Sequence, residues 1–199
     1  MTSITGGSQK RYLLHQGKNK AGELAAIMKQ RHSNRIFDQK EVPQELINEL
    51  ADMCKYTPSS CDRRAVRLKL ITERDDKALL NGILVGGVGF LYRVPAIFLL
   101  FGDKDSYKAG DTAGSEVNYN LPLDAGIIVN QLWLTAISKG LHATFVNPQV
   151  RERNKDYFYQ NFKPRGWDNP EFMGAFCFGY PSDITTDKHY DYSYSMVVE

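Results

Sequence analysis

Leu24, Ile27 and Met28 recur at helical spacing and lead into the polar stretch Arg31-His32-Ser33-Asn34-Arg35. A second amphipathic pattern is sharper. Leu46, Leu50, Met53 and Cys54 fall at i, i+4, i+7 and i+8, and Pro43 just ahead of them suits a first helical turn. After a break at Thr57-Pro58-Ser59-Ser60 the period changes to two: Val66, Leu68 and Leu70 alternate with Arg67 and Lys69, which predicts a strand with one buried face. Residues 94–101 form a continuous apolar run, short enough for a strand buried on both faces. Residues 123–139 are apolar nearly all round and predict a central buried helix, with Gly140 placed to cap its C-terminus. Residues 142–146 and 172–178 supply two further strands, with a polar, aromatic helix over about 149–162 between them. Helices alternating with strands, and one very apolar helix, give an α/β or α+β sandwich with a sheet covered on both faces.

Length and composition narrow the picture further. A chain of 199 residues fits one domain, with residues 1–20 as a polar N-terminal arm, 21–182 as the folded domain and 183–199 as a C-terminal tail. Lys plus Arg is 25 and Asp plus Glu is 23, and the resulting +2 gives no field that would recruit nucleic acid or an anionic membrane. The sequence has no apolar run of about 18 residues free of charge and no signal-peptide pattern, so a cytoplasmic protein is expected. Cys54, Cys61 and Cys177 form no Cys-x-x-Cys pair, and His15, His32, His142 and His189 are scattered without ligand spacing, so neither a disulfide framework nor a metal site is expected. Gly86-Gly87-Val88-Gly89 lacks the Gly-x-Gly-x-x-Gly spacing of a dinucleotide loop. It reads as a turn, or as backbone that approaches a flat ligand closely.

Candidate chemistry gathers in two places. If residues 31–35 are extended, alternation puts Arg31, Ser33 and Arg35 on one side, where two guanidinium forks and a hydroxyl can meet one anion. The plainer alternative is a solvated helix end with loose arginines. The Thr57-Pro58-Ser59-Ser60 loop is the second place, and together the two suit the phosphate and ring edge of a bound flavin nucleotide. Cys61 beside Arg63 and Arg64 is either a thiol of lowered pKa or an inert small side chain. Asp124, at the start of the long helix, is expected to act as a cap.

In these motifs the chain resembles the FMN-dependent nitroreductase family. Arg31-His32-Ser33-Asn34-Arg35 stands where that family carries its Arg-Arg/His-Ser-x-Arg/Lys signature, and Val42-Pro43-Gln44-Glu45 then Thr57-Pro58-Ser59-Ser60-Cys61-Asp62-Arg63-Arg64-Ala65 follow in the family's order. Asp124-Ala125-Gly126, Asn130-Gln131-Leu132, Lys139-Gly140-Leu141 and Gly179-Tyr180-Pro181 continue it to about residue 181. The resemblance implies an α+β fold: a three-layer α/β/α sandwich with a central mixed sheet, built as an intertwined homodimer. It implies FMN at the dimer interface, with the arginine segment from one subunit and the Pro-Ser-Ser loop from the other. A helix that is apolar all round also favours a dimer on its own account, since one chain of this length has limited surface with which to cover it.

On this resemblance the cofactor contacts are Arg31, His32, Ser33, Asn34, Arg35, Pro58, Ser59, Ser60, Asp62, Arg64, Val146 and Asn147. Arg31 and Ser33 would hold the phosphate, Arg35 the N1/O2 edge, and Ser59 and Ser60 the dimethylbenzene or ribityl side. No catalytic side chain is singled out, because the chemistry belongs to the flavin, which passes hydride from NAD(P)H to a flat acceptor such as a nitroaromatic or quinone by a ping-pong route. The departures are as informative. The family's loop asparagine and glutamine fall on Asp62 and Arg64, its Pro-Trp pair on Ala65-Val66, and near the C-terminus only Lys188 and His189 stand where a basic pair commonly meets the phosphate. These leave open non-reductase chemistry on the same scaffold, dehalogenation or flavin cleavage, and a flavin-binding protein without turnover.

Overall fold

The structure, a computed structural model, describes residues 17–107 and 120–183. The elements in order are α1 (Gly17–Gln30), α2 (Gln44–Met53), β1 (Val66–Ile71), α3 (Arg74–Ile83), β2 (Ala96–Asp103), α4 (Asn120–Ser138), β3 (His142–Val146), α5 (Lys155–Phe162) and β4 (Pro170–Gly179). The strands lie in the order β1-β2-β4-β3. All three pairings are antiparallel. Where a mixed sheet is expected, the parallel element among the described residues is the single bridge between Ser33 and Ala143. Much of the tail lies outside the described residues, as do His15, Lys188 and His189; α1 begins at Gly17, inside the stretch expected to be an arm.

Two apolar clusters make this an α+β sandwich of three layers. On one face Ile47 and Leu50 of α2 and Leu121, Val129 and Leu132 of α4 pack on Phe98, Leu100, Phe176 and Phe178. On the other, Leu80 and Ile83 of α3 and Phe158 and Phe162 of α5 pack on Ile97, Leu99 and Phe101. Alternate residues of β2 therefore enter opposite cores, which is why that strand reads as an unbroken apolar run. On β1 the polar face is covered as well. Arg67 lies over the Trp167 ring at 4.4 Å, and Lys69 lies over Phe162 while its ammonium donates to the Asn161 carbonyl at 3.0 Å. Long basic side chains lay their stems along aromatic surface in this way while their charged heads stay wet.

Two expectations need correction. The helix expected over 149–162 begins only at Lys155, because the residues before it are taken by another pairing. Val85 N–H donates to the Gln149 carbonyl at 2.9 Å, Arg151 N–H to the Ile83 carbonyl at 3.1 Å, and Val150 bridges Leu84. The second concerns α4, which ends as expected. Gly140, at φ +73, closes it with Gly140 N–H on the Ile137 carbonyl and Leu141 N–H on the Ala136 carbonyl, the paired bonds of a Schellman cap. Yet α4 is buried on one side only: Leu123 is 64% exposed and Ile127 41%. Leu24 and Met28 of α1, a helix that also packs on α4, are about half exposed. By length and composition α4 could cross a bilayer, but here one side of it lines the core of the sandwich.

The glycine-rich stretch is a turn, with Gly89 at φ +92. A Cβ on Gly87 would overlap the Leu91 side chain at 2.1 Å, and one on Gly86 would press on Val146 and Asn147 at 3.3 Å. Close backbone approach is thus required, and it is to the protein's own residues.

Candidate functional site

The chain leaves α1 at Gln30 and runs extended along the outer edge of β3. Asn34 N–H donates to the Ala143 carbonyl at 2.8 Å, which fixes the register of the segment. Asn34 itself is 4% exposed, and its amide is committed locally: Nδ2 donates to the Ile36 carbonyl at 2.8 Å and Oδ1 accepts from Ile36 N–H at 3.2 Å. With Asn34 turned inward, alternation turns Arg31, Ser33 and Arg35 the other way. The Arg31 guanidinium lies 4.9 Å from the centre of the Trp133 ring on α4. Trp133 is held in turn edge-on against Phe176. Among the described residues no carboxylate pairs with Arg31 or Arg35. His32 directs Nδ1 at the Gln30 carbonyl at 2.9 Å and meets His142 edge to face at 5.0 Å. The His32 Nε2 and Trp133 Nε1 atoms are buried and have no hydrogen-bond partner. The segment is therefore rich in cation, and the Trp133 indole beside it is a donor without an acceptor.

The second cluster is built differently. Thr57 is extended ahead of Pro58, as the residue before a proline prefers, and its hydroxyl donates to the Cys54 carbonyl at 2.6 Å. Ser60–Asp62 is a 3-10 turn in which Cys61 sits at φ 53, followed by Asp62 at 52 and Arg64 at 52. Left-handed backbone at a residue other than glycine costs on the order of 1–3 kcal/mol. Three such residues within four positions must be held by their surroundings. Four bonds do so. Arg64 N–H donates to Ser59 Oγ at 3.0 Å, Arg64 Nε donates to Asp62 Oδ1 at 2.7 Å, Arg63 Nη1 reaches the Ser60 carbonyl at 3.4 Å, and Ser60 N–H is shared between the two carboxylate oxygens of Asp124 at 3.0 and 3.1 Å. The Asp62–Arg64 pair is exposed, so its value lies in geometry more than in stability.

Asp124 is the functional candidate that pattern reading misassigned. Expected to cap α4, it lies inside the helix, which starts at Asn120, and it is 4% exposed. Its carboxylate serves a loop 64 residues away, a partnership with no local signature. Beside it, between the end of α2, β1 and α4, lies a cavity of about 350 Å³ whose lining includes Cys54, Ser59, Arg64, Leu68, Asp124 and Ile128. Burial pushes the Cys54 thiol up to about 12, the mark of an apolar surrounding. Trp133 was likewise invisible as a partner of Arg31, since an aromatic on an apolar helix reads as core. Of the remaining candidates, Val146 is buried at the end of β3, and Asn147 is exposed beside the Gly86 turn.

The two clusters do not meet within one chain. Ser60 is tied to Asp124 in the second turn of α4, and Arg31 lies on Trp133 nine residues further along that helix. Nine residues of helix rise are about 14 Å, too far for a phosphate-sized anion to touch both.

An antiparallel sheet between two helical layers, with a basic segment on one edge and a strained serine loop near the other, defines a three-layer α+β sandwich. It has the fold of the nitroreductases, and residues 28–88 match the sequence model of the Nitroreductase family. An FMN-dependent nitroreductase from Clostridium difficile superposes with a TM-score of 0.68 at 20% identity, over 83% of this chain and 91% of that one. A Parabacteroides distasonis protein assigned as an NADH dehydrogenase/NAD(P)H nitroreductase gives 0.70 at 20%, over 87% and 94%. A structure from Desulfovibrio desulfuricans in complex with FMN gives 0.65 at 17%, over 84% and 91%. At these identities the likeness is one of fold. No curated protein sequence matches the chain.

Proposed function

We propose that this chain is an FMN-dependent oxidoreductase of the nitroreductase type that works as a homodimer in the cytoplasm, taking hydride from NAD(P)H and delivering it to a flat acceptor such as a nitroaromatic or quinone. The observation that carries the reading is the donor set at 31–35. Two arginines with no carboxylate paired to them among the described residues, the Ser33 hydroxyl and the Trp133 indole N–H, which has no partner, make a surround that accepts an anion and fits a phosphate monoester. The stretch matched by the family model contains both clusters. The names of the Clostridium difficile and Parabacteroides distasonis neighbours support flavin and nicotinamide respectively, as does the FMN bound in the Desulfovibrio desulfuricans structure.

In this reading Arg31 and Ser33 bind the phosphate and Arg35 faces the N1/O2 edge of the ring. Asn34 fixes the segment's register rather than touching the ligand, since its amide is already committed to Ile36. Pro58, Ser59 and Ser60 line the ring or ribityl side, and Asp62 and Arg64 present the ring edge with a mutually neutralised pair. Val146 and Asn147 close the far side. Bound FMN supplies the electron transfer between nicotinamide and acceptor; the chain orients it and keeps its phosphate dry. As the resemblance to the family implies, a complete site takes the arginine segment from one subunit and the serine loop from the other. The uncovered stripe of Leu24, Met28, Leu123 and Ile127 is the surface available for that pairing.

The test is a visible spectrum of the purified protein with FMN, before and after anaerobic NADPH and then NADH. Flavin bands bleached by either nucleotide are expected. Bound flavin that stays oxidised would favour the second reading, non-reductase chemistry or simple flavin binding, for which the replacement of two amides by the Asp62–Arg64 ion pair is the supporting observation. Failure to bind FMN at all would overturn both.

A further inference from the structure

The geometry points to Asp124 as a positioning residue: its buried carboxylate is a strut that holds the strained 59–64 loop in the conformation that meets the flavin, above a cavity into which the loop would otherwise relax. The part of this that concerns flavin rests on the function proposed above; the strut itself does not. Three features combine to carry it. Cys61, Asp62 and Arg64 occupy left-handed backbone that their side chains disfavour, so the loop would change shape if released. Directly beside it is open volume, the cavity of about 350 Å³ that Ser59, Arg64 and Asp124 themselves line. The pair of bonds from Ser60 N–H to Asp124 ties the loop's backbone to α4, and a longer one from Arg64 Nη1 reaches the Lys55 carbonyl at 3.4 Å through a side chain; those of Arg64 to Ser59 and Asp62 stay inside the loop and would travel with it.

A carboxylate is suited to this task where an amide is less so. Its two oxygens are equivalent acceptors, and both lie within hydrogen-bond distance of one N–H. Asparagine would keep one acceptor and turn an NH2 donor toward the same backbone group. Alanine would remove the strut and enlarge the cavity.

The experiment uses the full-length protein and its Asp124→Asn and Asp124→Ala variants, with two readouts. The first is amide hydrogen exchange without added flavin. Exchange across residues 60–65 is expected to accelerate at least ten-fold in Asp124→Ala and by less in Asp124→Asn, while the β2 amides keep their protection. The second is FMN affinity by fluorescence titration together with the flavin reduction potential. Affinity is expected to fall at least ten-fold in Asp124→Ala, with a shifted potential, and Asp124→Asn should lie between. Unchanged loop exchange in both variants would overturn the strut. A loosened loop with wild-type affinity and potential would overturn its role toward flavin. A wild-type protein that binds no FMN would sink the function proposed above, and the exchange readout would still decide whether Asp124 holds the loop. If Asp124→Ala does not fold, the isosteric Asp124→Asn carries the same two readouts.

Discussion

The two clusters are both polar and both rich in arginine, yet they solve opposite problems. In the 31–35 segment the backbone is relaxed and fixed by a bridge to β3, while no carboxylate among the described residues pairs with its arginines. In the 59–64 loop the charges are paired and the backbone is strained. An unneutralised donor set gains most from a charged ligand, because each charge-assisted bond replaces one to water with one that is fixed in place. A strained, internally paired loop gains little from charge and instead offers shape, holding hydroxyls and backbone groups where a ring can meet them. One region therefore supplies affinity and the other geometry, and substitutions should separate them.

The largest effect is expected at the unpaired arginines. Hydrogen bonds to charged groups are worth about 1.5–3 kcal/mol, so Arg31→Ala and Arg35→Ala should each weaken FMN binding by roughly ten- to a hundred-fold, and the double variant should copurify without flavin. Fluorescence titration measures this, and raising ionic strength should weaken the wild-type affinity more than that of the double variant. The thermal midpoint of Arg35→Ala should barely move, because its guanidinium is in no ion pair among the described residues, whereas Arg31→Ala also loses its contact with the Trp133 ring and should fall slightly. Full flavin occupancy in both single variants would break the contrast at its root.

A smaller loss is expected when Arg31 keeps its charge and loses its platform. Trp133→Leu removes the ring under the guanidinium and leaves the apolar contact toward Phe176 partly filled. Cation–π contacts are worth about 0.5–2 kcal/mol, which corresponds to roughly two- to thirty-fold in affinity. A double-mutant cycle with Arg31→Ala tests whether the effect runs through the arginine: if so, Trp133→Leu should cost almost nothing in the Arg31→Ala background. Additive losses would mean that Trp133 acts on the ligand or the fold independently.

The same contrast explains what the sequence made legible. Motifs confined to a few consecutive residues were readable, because side-chain alternation and helix period act locally: β3 at His142–Val146 and the Gly140 cap of α4 lie where the pattern places them. What was not readable depended on a distant partner. Residues 149–151 carry enough helical character to predict a helix from 149, and they lose it to a pairing with residues 83–85. Asp124 looks like a cap near the start of its helix, and its partner is a backbone amide 64 residues earlier. The apolar stripe on α4 was foreseen as buried, and within one chain much of it is not. The polar residues of both clusters stand out in the sequence, since donor chemistry is a property of residue type, whereas strain is a property of the folded backbone.

Strain also gives the smallest effect, and the one that isolates geometry from charge. Cys61 has φ 53, is exposed and is in no disulfide. Glycine adopts this backbone without penalty, and against that gain stands the greater freedom it gives the unfolded chain, about 0.5–1 kcal/mol. Set against a left-handed cost of about 1–2 kcal/mol, the net stabilisation from Cys61→Gly should be at most about 1.5 kcal/mol. In a domain of this size that raises the thermal midpoint by roughly 3–6 °C at most. Arg35→Gly, in the relaxed segment, should instead lower it slightly, because no left-handed strain is there to relieve and only the entropic term remains. Opposite signs in a calorimetric comparison would place the strain in the loop alone. A loss of stability in Cys61→Gly as large as in Arg35→Gly would mean that the loop is not strained, and that Asp124 holds a conformation the chain would adopt without it.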